Sequence, residues 1–399
     1  MTATTRGQGQ RAGTNTGSVN DVGSAASAED LSWPAWRRAL ALALFLRLAY
    51  SVLAAVMALT QSVNWRLIHS NALTENLPPP DHSLRYLLFG VWERFDTLWY
   101  LHIAAHGYDR PEAVVFFPLY PGLVKIASLL IPPMAAALLI STVAAFFAFW
   151  GLQNLLRGEC PPNLLDQSVL LCAVWPASFI FFAGYPESLL TALIVWSLCL
   201  ARKDRWLAAA TLGLAAALTK AVGAAVVVPL LIMAIRRRKT AALPVLLVPL
   251  GVAGFLGYLH WTGHGTLASA YQQYWHTSVV PPWTTLLVSI RTLVHALDAI
   301  LLLNLMFLIS VCGLATLSRL RIEYLLYSAA AVLVLLCKET EPPLQSMMRY
   351  LLIIFPAFVG SARLFQGPHW RSRFGMVCIA LFIVNLGLLW LFLGWSLVL

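Results

Sequence analysis

The sequence predicts an all-α polytopic membrane protein with about 11 transmembrane helices, within a range of about 10–12, plus short extracytoplasmic loop helices. Hydrophobic residues make up 59% of the 399 residues and charged residues only 11%, whereas soluble domains contain roughly 25% charged residues. Apolar runs recur from residue 39 to the C-terminal end, which excludes a single anchor carrying a soluble domain. We therefore expect one polytopic domain over residues 37–399.

Basic residues lie in short runs at the ends of the apolar segments. The net charge of +10 alone would suit nucleic-acid binding, but positive charge at the ends of spans is typical of cytoplasmic loops facing anionic lipid. The pattern therefore favours membrane lipid over nucleic acid as a partner. The runs are Arg37-Arg38, Arg202-Lys203, Arg236 to Lys239, Arg319 with Arg321, and Arg371 with Arg373.

The N-terminal segment, residues 1–36, is rich in Gly, Ser, Thr, Ala and Gln. It has no periodic apolar pattern, which predicts a disordered cytoplasmic tail. The first apolar stretch begins too far from Met1 for a signal peptide, so residues 39–60 are predicted to form the first span.

Further apolar segments predict the remaining helices, although several are shorter than the roughly 20 residues that a perpendicular span needs. Cysteines within them act as small hydrophobic residues, because the six cysteines are scattered and form no CxxC pair. The segments are 134–156, 167–183, 187–201, 206–219, 222–235, 241–259, 297–317, 322–337, 349–366 and 374–397.

Segment 116–130 is apolar enough to cross the membrane, but counting it as a span inverts every later orientation. Lys125 and the nearby prolines favour a re-entrant or shallow helix; the alternative is a twelfth span. With the basic runs inside, residues 61–115, 185–188, 260–296 and 338–349 are predicted to be extracytoplasmic.

The first extracytoplasmic loop, about residues 61–115, holds six of the 17 acidic residues of the chain. Acidic residues are scarce inside membranes because their burial is costly, so this loop is the candidate for chemistry. If the loop is helical around Asp96, then Trp99 and Tyr100 share its face, with Trp92 four residues before it. A carboxylate among aromatic rings suits a sugar site; an interfacial helix with belt aromatics is the structural alternative.

Other polar residues on the same face are further candidates. Glu187 opens an apolar run and either contacts substrate or caps a helix. Lys220 and Arg349 either hold a phosphate or extend to the membrane interface. His102 and His106 with Asp109 lack a fourth ligand, so a metal site is the less favoured interpretation and no cofactor is expected.

The motif pattern resembles that of the PIG-V mannosyltransferases, which include eukaryotic GPI mannosyltransferase 2 and bacterial homologues. The matching stretches are residues 94–104 (RFDTLWYLHIA), 107–108 (GY) and 116–121 (FFPLYP), then 175–178 (WPAS) with 185–189 (YPESL), and 348–350 (MRY) with 355–356 (FP). They span about residues 90–356, most of the membrane part of the chain.

This resemblance implies a GT-C type fold and an inverting hexosyltransferase that uses a polyprenyl-phosphate sugar, expected to be mannose. Such enzymes keep an essential acid in the first extracytoplasmic loop, and Asp96 occupies that position. The expected catalytic residue is Asp96, and the expected substrate-binding residues are Arg94, Trp99, Tyr100, His102, Tyr185, Glu187, Lys220, Arg349 and Tyr350.

Residues 218–223 (LTKAVG) depart from the Arg-Ser-Asn-Gly type sequence of eukaryotic members. Acceptor recognition therefore does not carry over, and the acceptor is left as a glycan, glycolipid or glycoprotein. The chief rival function is a transporter or flippase of lipid-linked saccharides, which would place ionisable residues near mid-membrane. A non-catalytic scaffold would not need the loop of acidic and aromatic residues.

Overall fold

The computed structural model describes residues 34–60, 73–74, 77, 81–237 and 239–396. Nearly all of the predicted tail of residues 1–36 lies outside this part, as does most of residues 61–80 of the predicted loop. The first helix begins at Ala35, four residues before the predicted start at residue 39, and it ends at Thr60 as predicted.

The described chain is mostly helical, and its helices are joined by turns, 3-10 segments and one pair of short strands. Short 3-10 helices cover Gly90–Trp92, Pro111–Val115, Ser178–Phe182, Ala221–Val226, Lys239–Ala241 and Leu351–Ile353. The α-helices are α1 (Ala35–Thr60), α2 (Leu84–Leu88), α3 (Asp96–His106), α4 (Leu119–Ala127), α5 (Pro133–Leu156), α6 (Pro162–Val174), α7 (Glu187–Arg202), α8 (Trp206–Thr219), α9 (Val227–Arg237), α10 (Ala242–Val245), α11 (Leu247–Trp261), α12 (Leu267–Trp275), α13 (Pro282–Ala296), α14 (Ala299–Leu317), α15 (Ile322–Leu336), α16 (Met347–Tyr350), α17 (Phe355–Leu364) and α18 (Pro368–Leu393).

Five helical segments within the described residues are long and apolar enough to cross a membrane, which confirms the all-α polytopic class. A bent pair, Met347–Ile353 with Phe355–Leu364, is a sixth if it counts as one span. The five are Ala35–Thr60, Pro133–Leu156, Ala242–Trp261, Ala299–Leu317 and Ser372–Leu393.

Several predicted helices are interrupted at residues that cannot continue a helix. The predicted segment 167–183 is α6 followed by a 3-10 turn, because Ala177 adopts a left-handed conformation with φ of 66° after Pro176. The predicted segment 349–366 bends by 88° between Ile353 and Phe355. Pro356 follows this bend, and proline favours the first turn of a new helix over the interior of a continuing one.

The ambiguous segment 116–130 contains only the nine-residue helix α4. Nine residues extend about 14 Å, less than half the thickness of the hydrocarbon core. Its Tyr120 hydroxyl hydrogen-bonds the Ala137 carbonyl and the Ser141 hydroxyl of α5. This geometry is the one expected for a shallow helix packed behind the loop, and it does not supply a twelfth full-length span.

Four of the five basic runs form ion pairs with acidic residues at one set of helix ends, which we call the basic face. Glu159 lies 2.6 Å from Arg321 and 3.5 Å from Arg202. The remaining pairs are Arg38 with Asp166, Arg236 with Glu323 and Arg237 with Asp204. Helix α7 runs from Glu187 to Arg202, so its 16 residues separate Glu187 from this face by about 24 Å.

A two-stranded antiparallel sheet lies among the helices. Strand β1 (Thr277–Val279) pairs with β2 (Lys338–Thr340), in a register that sets Thr277 opposite Thr340 and Val279 opposite Lys338. Main-chain pairing therefore fixes the backbone on which Lys338 stands.

Candidate functional site

Asp96 is the first residue of helix α3, where the positive end of the helix dipole favours a carboxylate. The preceding residue, Phe95, has a φ of 46°, an uncommon conformation for a residue with a large side chain. Its ring packs 5.4 Å from Phe392 and 4.8 Å from Trp395, measured between ring centroids. Packing against the C-terminal segment therefore holds the turn that aims Asp96.

Arg349 meets Asp96 from a distant part of the chain. Its Nη1 donates a hydrogen bond of 2.8 Å to Oδ2 of Asp96, and its Nη2 donates one of 2.9 Å to the Tyr350 hydroxyl. The Arg349 side chain is only 3% exposed, whereas that of Asp96 is 17% exposed. Oδ1 of Asp96 accepts no hydrogen bond from the described residues, so one carboxylate oxygen is oriented and the other is open to a ligand.

Glu187 is the second carboxylate of the site and is buried, with 1% of its side chain exposed. Its Oε1 accepts a hydrogen bond of 2.5 Å from Nζ of Lys220 and lies 3.3 Å from Nε of Arg349. Burying a charge is costly unless it is paired. The two cations stabilise the carboxylate, and the carboxylate holds the two cations beside each other.

A tight turn positions Lys220. The residue follows helix α8 in an extended conformation, with φ of −162°, and precedes the 3-10 helix that starts at Ala221. Gly223 in that turn lies against α8 so closely that an added Cβ would stand 2.1 Å from the Ala216 carbonyl oxygen. Glycine is therefore required here for steric reasons.

Lys338 belongs to the same site, although we did not select it from the sequence. Its Nζ lies 4.7 Å from the ring centroid of Tyr271 and 5.9 Å from that of Tyr350. The signal that could have identified it is its position two residues after Leu336, where an apolar helix ends on this face. Asp96, Glu187, Lys220, Lys338 and Arg349 form what we call the charge cluster.

Neutral phenols support the charge cluster from one side. The backbone N–H of Asp96 donates to the Tyr185 hydroxyl at 3.2 Å, and the Ser141 hydroxyl donates to the Tyr185 carbonyl. The Tyr100 ring packs edge-on against Tyr185, with centroids 6.4 Å apart. Burial raises the pKa of Tyr100 and of Tyr185 well above the ordinary value for a phenol, so both stay protonated.

Tyr350 lies at the centre of the cations. It accepts the hydrogen bond from Arg349, and Nζ of Lys220 lies 4.4 Å from its ring centroid. Cations over an aromatic face are attracted by its quadrupole. Six of the expected site residues thus come together, with Tyr100 beside Tyr185: Asp96, Tyr185, Glu187, Lys220, Arg349 and Tyr350.

Arg94 makes different contacts. Its Nε donates to the Leu393 carbonyl at 2.9 Å, its Nη1 to the carbonyls of Gly90 and Glu93, and its Nη2 to the Tyr86 hydroxyl. None of these partners belongs to the charge cluster. These contacts fasten the loop against the end of α18, and the substrate-binding role expected of Arg94 stays a prediction.

The described contacts of Trp99 and His102 are also with residues outside the charge cluster. Trp99 is buried and stacks 5.8 Å from Phe116, with Trp275 5.7 Å away on another side. Nε2 of His102 lies 2.6 Å from Oδ1 of Asp109. Within the described ranges, no group of three or more His, Cys, Asp or Glu residues is placed to hold a metal ion.

The helical face proposed from spacing forms only in part, because α3 begins at Asp96. Trp92 lies outside it, in the 3-10 helix Gly90–Trp92, where the guanidinium of Arg47 stands 4.8 Å from its ring centroid.

Comparisons of this chain with protein-family models, curated proteins and solved structures give no match.

Proposed function

We propose that the chain is an integral membrane glycosyltransferase of the GT-C type. It moves a hexose, which we propose to be mannose, from a polyprenyl-phosphate carrier to an acceptor hydroxyl. One observation carries the proposal. A partly exposed carboxylate, Asp96, has one oxygen oriented by Arg349 and the other open, beside an excess of cations. The acceptor is a glycan, glycolipid or glycoprotein.

Asp96 acts as the general base in this proposal. Its open Oδ1 takes the proton of the attacking hydroxyl while that oxygen bonds to the anomeric carbon. The bond from the anomeric carbon to the phosphate oxygen breaks on the opposite face, which inverts the configuration, and its electron pair stays on the phosphate. A positioned base contributes typically about 10²–10⁴-fold in rate.

The leaving phosphate gains negative charge, so it needs cationic stabilisation more than protonation. The charge cluster contains three cations and two carboxylates, and therefore carries one net positive charge before reaction. A phosphodiester carries one negative charge. The site is thus electrostatically matched to a phosphate-linked sugar, and no nucleotide-binding element is required.

An apolar groove that begins at the depth of the charge cluster supports a lipid-linked donor. It has a volume of about 640 Å³ and is lined mainly by helices α5 and α7, including Ile140, Val143 and Leu189. Leu189 follows the buried Glu187 by two residues on α7, so the groove starts at the depth of the charge cluster. A prenyl chain in this groove would leave its phosphate at the helix ends.

The proposed orientation follows from the two polar ends of the fold. The basic face is placed on the cytoplasmic side, because cytoplasmic loops of membrane proteins carry an excess of Lys and Arg. The charge cluster is then extracytoplasmic. We propose that the chain crosses the plasma membrane of a bacterium about 11 times, with several crossings made by short or bent helices. Prenyl donors in the outer leaflet would reach the site laterally.

The test is transfer of radiolabelled mannose from polyprenyl-phosphate mannose to extracted cell-envelope acceptors, in membranes containing the wild type or Asp96→Asn. The wild type should label an acceptor and the variant should not. A flippase would instead move the labelled donor across sealed vesicles without forming a labelled acceptor. That result, with no transfer by the wild type, would overturn the proposal.

A further inference from the structure

Lys338 is the cation of the charge cluster that has no carboxylate partner among the described residues. Lys220 is 2.5 Å from Glu187, and Arg349 is 2.8 Å from Asp96. The described contacts of the Lys338 ammonium are the faces of Tyr271 and Tyr350. A phosphate that approached Lys220 or Arg349 would compete with carboxylates already in place, whereas one that approached Lys338 would not.

The surroundings of Lys338 keep it charged and in place. Burial lowers the pKa of its ammonium, but the nearby oxygens of Tyr350, Tyr271 and Asp96 more than offset this, and the pKa lies above the ordinary value. Lys338 is therefore a cation at neutral pH. Its backbone is paired with Val279 in the β1–β2 ladder, and the residue as a whole is partly exposed, so it is both held in place and within reach of a ligand.

We infer that the ammonium of Lys338 binds the phosphate of the lipid-linked donor and stabilises it as it leaves. This inference rests on the proposed function and adds a residue that the motif resemblance does not include. Lys220 and Arg349 then have a different task, since they hold Glu187 and Asp96 in the geometry of the site.

The charges of donor and cluster stay balanced through the proposed reaction. When Asp96 accepts the proton of the hydroxyl, the net charge of the cluster rises from +1 to +2. In the same step the phosphodiester becomes a monoester, whose charge at neutral pH is about −1.5 to −2. The charges of the other four residues cancel before the reaction. The net positive charge of the cluster therefore comes from Lys338.

The test measures binding of polyprenyl monophosphate to the purified protein in detergent, so it does not depend on transfer. Hydrogen bonds to charged groups contribute about 1.5–3 kcal/mol. Lys338→Gln and Lys338→Met should therefore weaken binding by about 10–100-fold, since 1.4 kcal/mol is a factor of ten. Lys338→Arg should retain most of the affinity, and Lys125→Gln, which removes an exposed lysine on α4, should bind as the wild type does.

Competing ligands identify the source of the phosphate. Inorganic phosphate and phosphatidylglycerol should displace polyprenyl monophosphate weakly, and unphosphorylated polyprenol should bind equally to the wild type and Lys338→Met. Wild-type affinity in both neutral variants, or equal displacement by phosphatidylglycerol, would overturn the inference. If the wild type transfers no sugar but Lys338 still controls phosphate binding, the proposed function fails and the phosphate site stands.

Discussion

Arg349 and Asp96 are 253 positions apart in the sequence, yet Nη1 of Arg349 donates a 2.8 Å hydrogen bond to Oδ2 of Asp96. The contact joins the short helix α16 to the start of α3. Because Nε of the same guanidinium lies 3.3 Å from Glu187, a single arginine contacts both carboxylates of the charge cluster. The acid of the first loop is thus oriented from the C-terminal third of the chain.

The first prediction concerns the proposed base. Asp96→Asn should lower the rate of transfer by about 10²–10⁴-fold, while binding of polyprenyl monophosphate should survive because the amide keeps the shape of the side chain. The measurement is the initial rate of mannose transfer alongside equilibrium binding. Near wild-type transfer by Asp96→Asn would remove Asp96 from the chemistry.

Glu93→Gln is the matched control, because Glu93 is the nearest other acid in the loop. Burial raises the pKa of Glu93 above the ordinary value. A raised carboxyl pKa means that the folded state favours the neutral form, so stability is lost as the pH rises through that pKa. The neutral Gln should therefore leave transfer largely intact and should not lower the unfolding temperature at pH 7.

The second prediction concerns Arg349. Arg349→Lys keeps the charge but cannot donate in two directions from a planar fork, so transfer should fall while the protein stays folded. Arg349→Met removes one partner of a buried pair and should destabilise the protein by about 3–5 kcal/mol. Thermal unfolding and the transfer rate should be measured on the same samples. Unchanged transfer by Arg349→Lys would show that the orientation of Asp96 does not matter.

The third prediction separates Arg94 from substrate binding. Arg94→Met should lower the unfolding temperature, because each lost hydrogen bond to a charged group costs about 1.5–3 kcal/mol. The donor KM of the fraction that remains folded should change little. Arg85→Gln, an exposed arginine in the same loop, serves as the control and should alter neither quantity. A large rise in donor KM without loss of stability would return Arg94 to the substrate site.

The fourth prediction tests the apolar groove. Val143 lines the groove with an exposed side chain, so Val143→Trp should fill space without disturbing the packed core. The variant should raise the KM for a long-chain prenyl-phosphate mannose and leave that for a short-chain analogue unchanged. Val56→Trp on α1, also exposed, should affect neither donor. Equal effects on both chain lengths would exclude this groove as the position of the prenyl chain.

The fifth prediction tests orientation. In a background without the six native cysteines, an impermeant maleimide added to intact cells should label Ser83→Cys and Glu341→Cys. It should label Thr240→Cys only after the membrane is permeabilised. Labelling of position 240 in intact cells, with protection of position 83, would place the charge cluster in the cytoplasm and contradict an outer-leaflet donor.

Much of the helical framework could be predicted, because long apolar runs and basic residues at their ends are local features of the sequence. Residues 206–219 were predicted as a helix, and α8 covers Trp206–Thr219. The interruptions were harder to anticipate. The bend between Ile353 and Phe355 depends on backbone conformation, and the hydropathy of the segment stays high on both sides of it.

The candidate site, like the helical framework, could be predicted only in part. Asp96, Glu187, Lys220 and Arg349 were selected from the sequence because polar residues at span ends are conspicuous, and they do meet. Their pairing was not predictable, because sequence separation contains no information on distance. Arg94 was expected at the site because it belongs to the motif of residues 94–104, but its hydrogen-bond partners are mainly backbone carbonyls, which have no sequence signature.

The hydrogen bond from Arg94 to the Leu393 carbonyl has a consequence for biosynthesis. Chains are synthesised and inserted from the N-terminus, so the loop that carries Asp96 leaves the ribosome long before α18 exists. Until that last helix arrives, Arg94 has no Leu393 to bind, and Phe95 has no Phe392 or Trp395 to pack against. A nascent or truncated chain would possess the carboxylate without its geometry until synthesis reached the final helix.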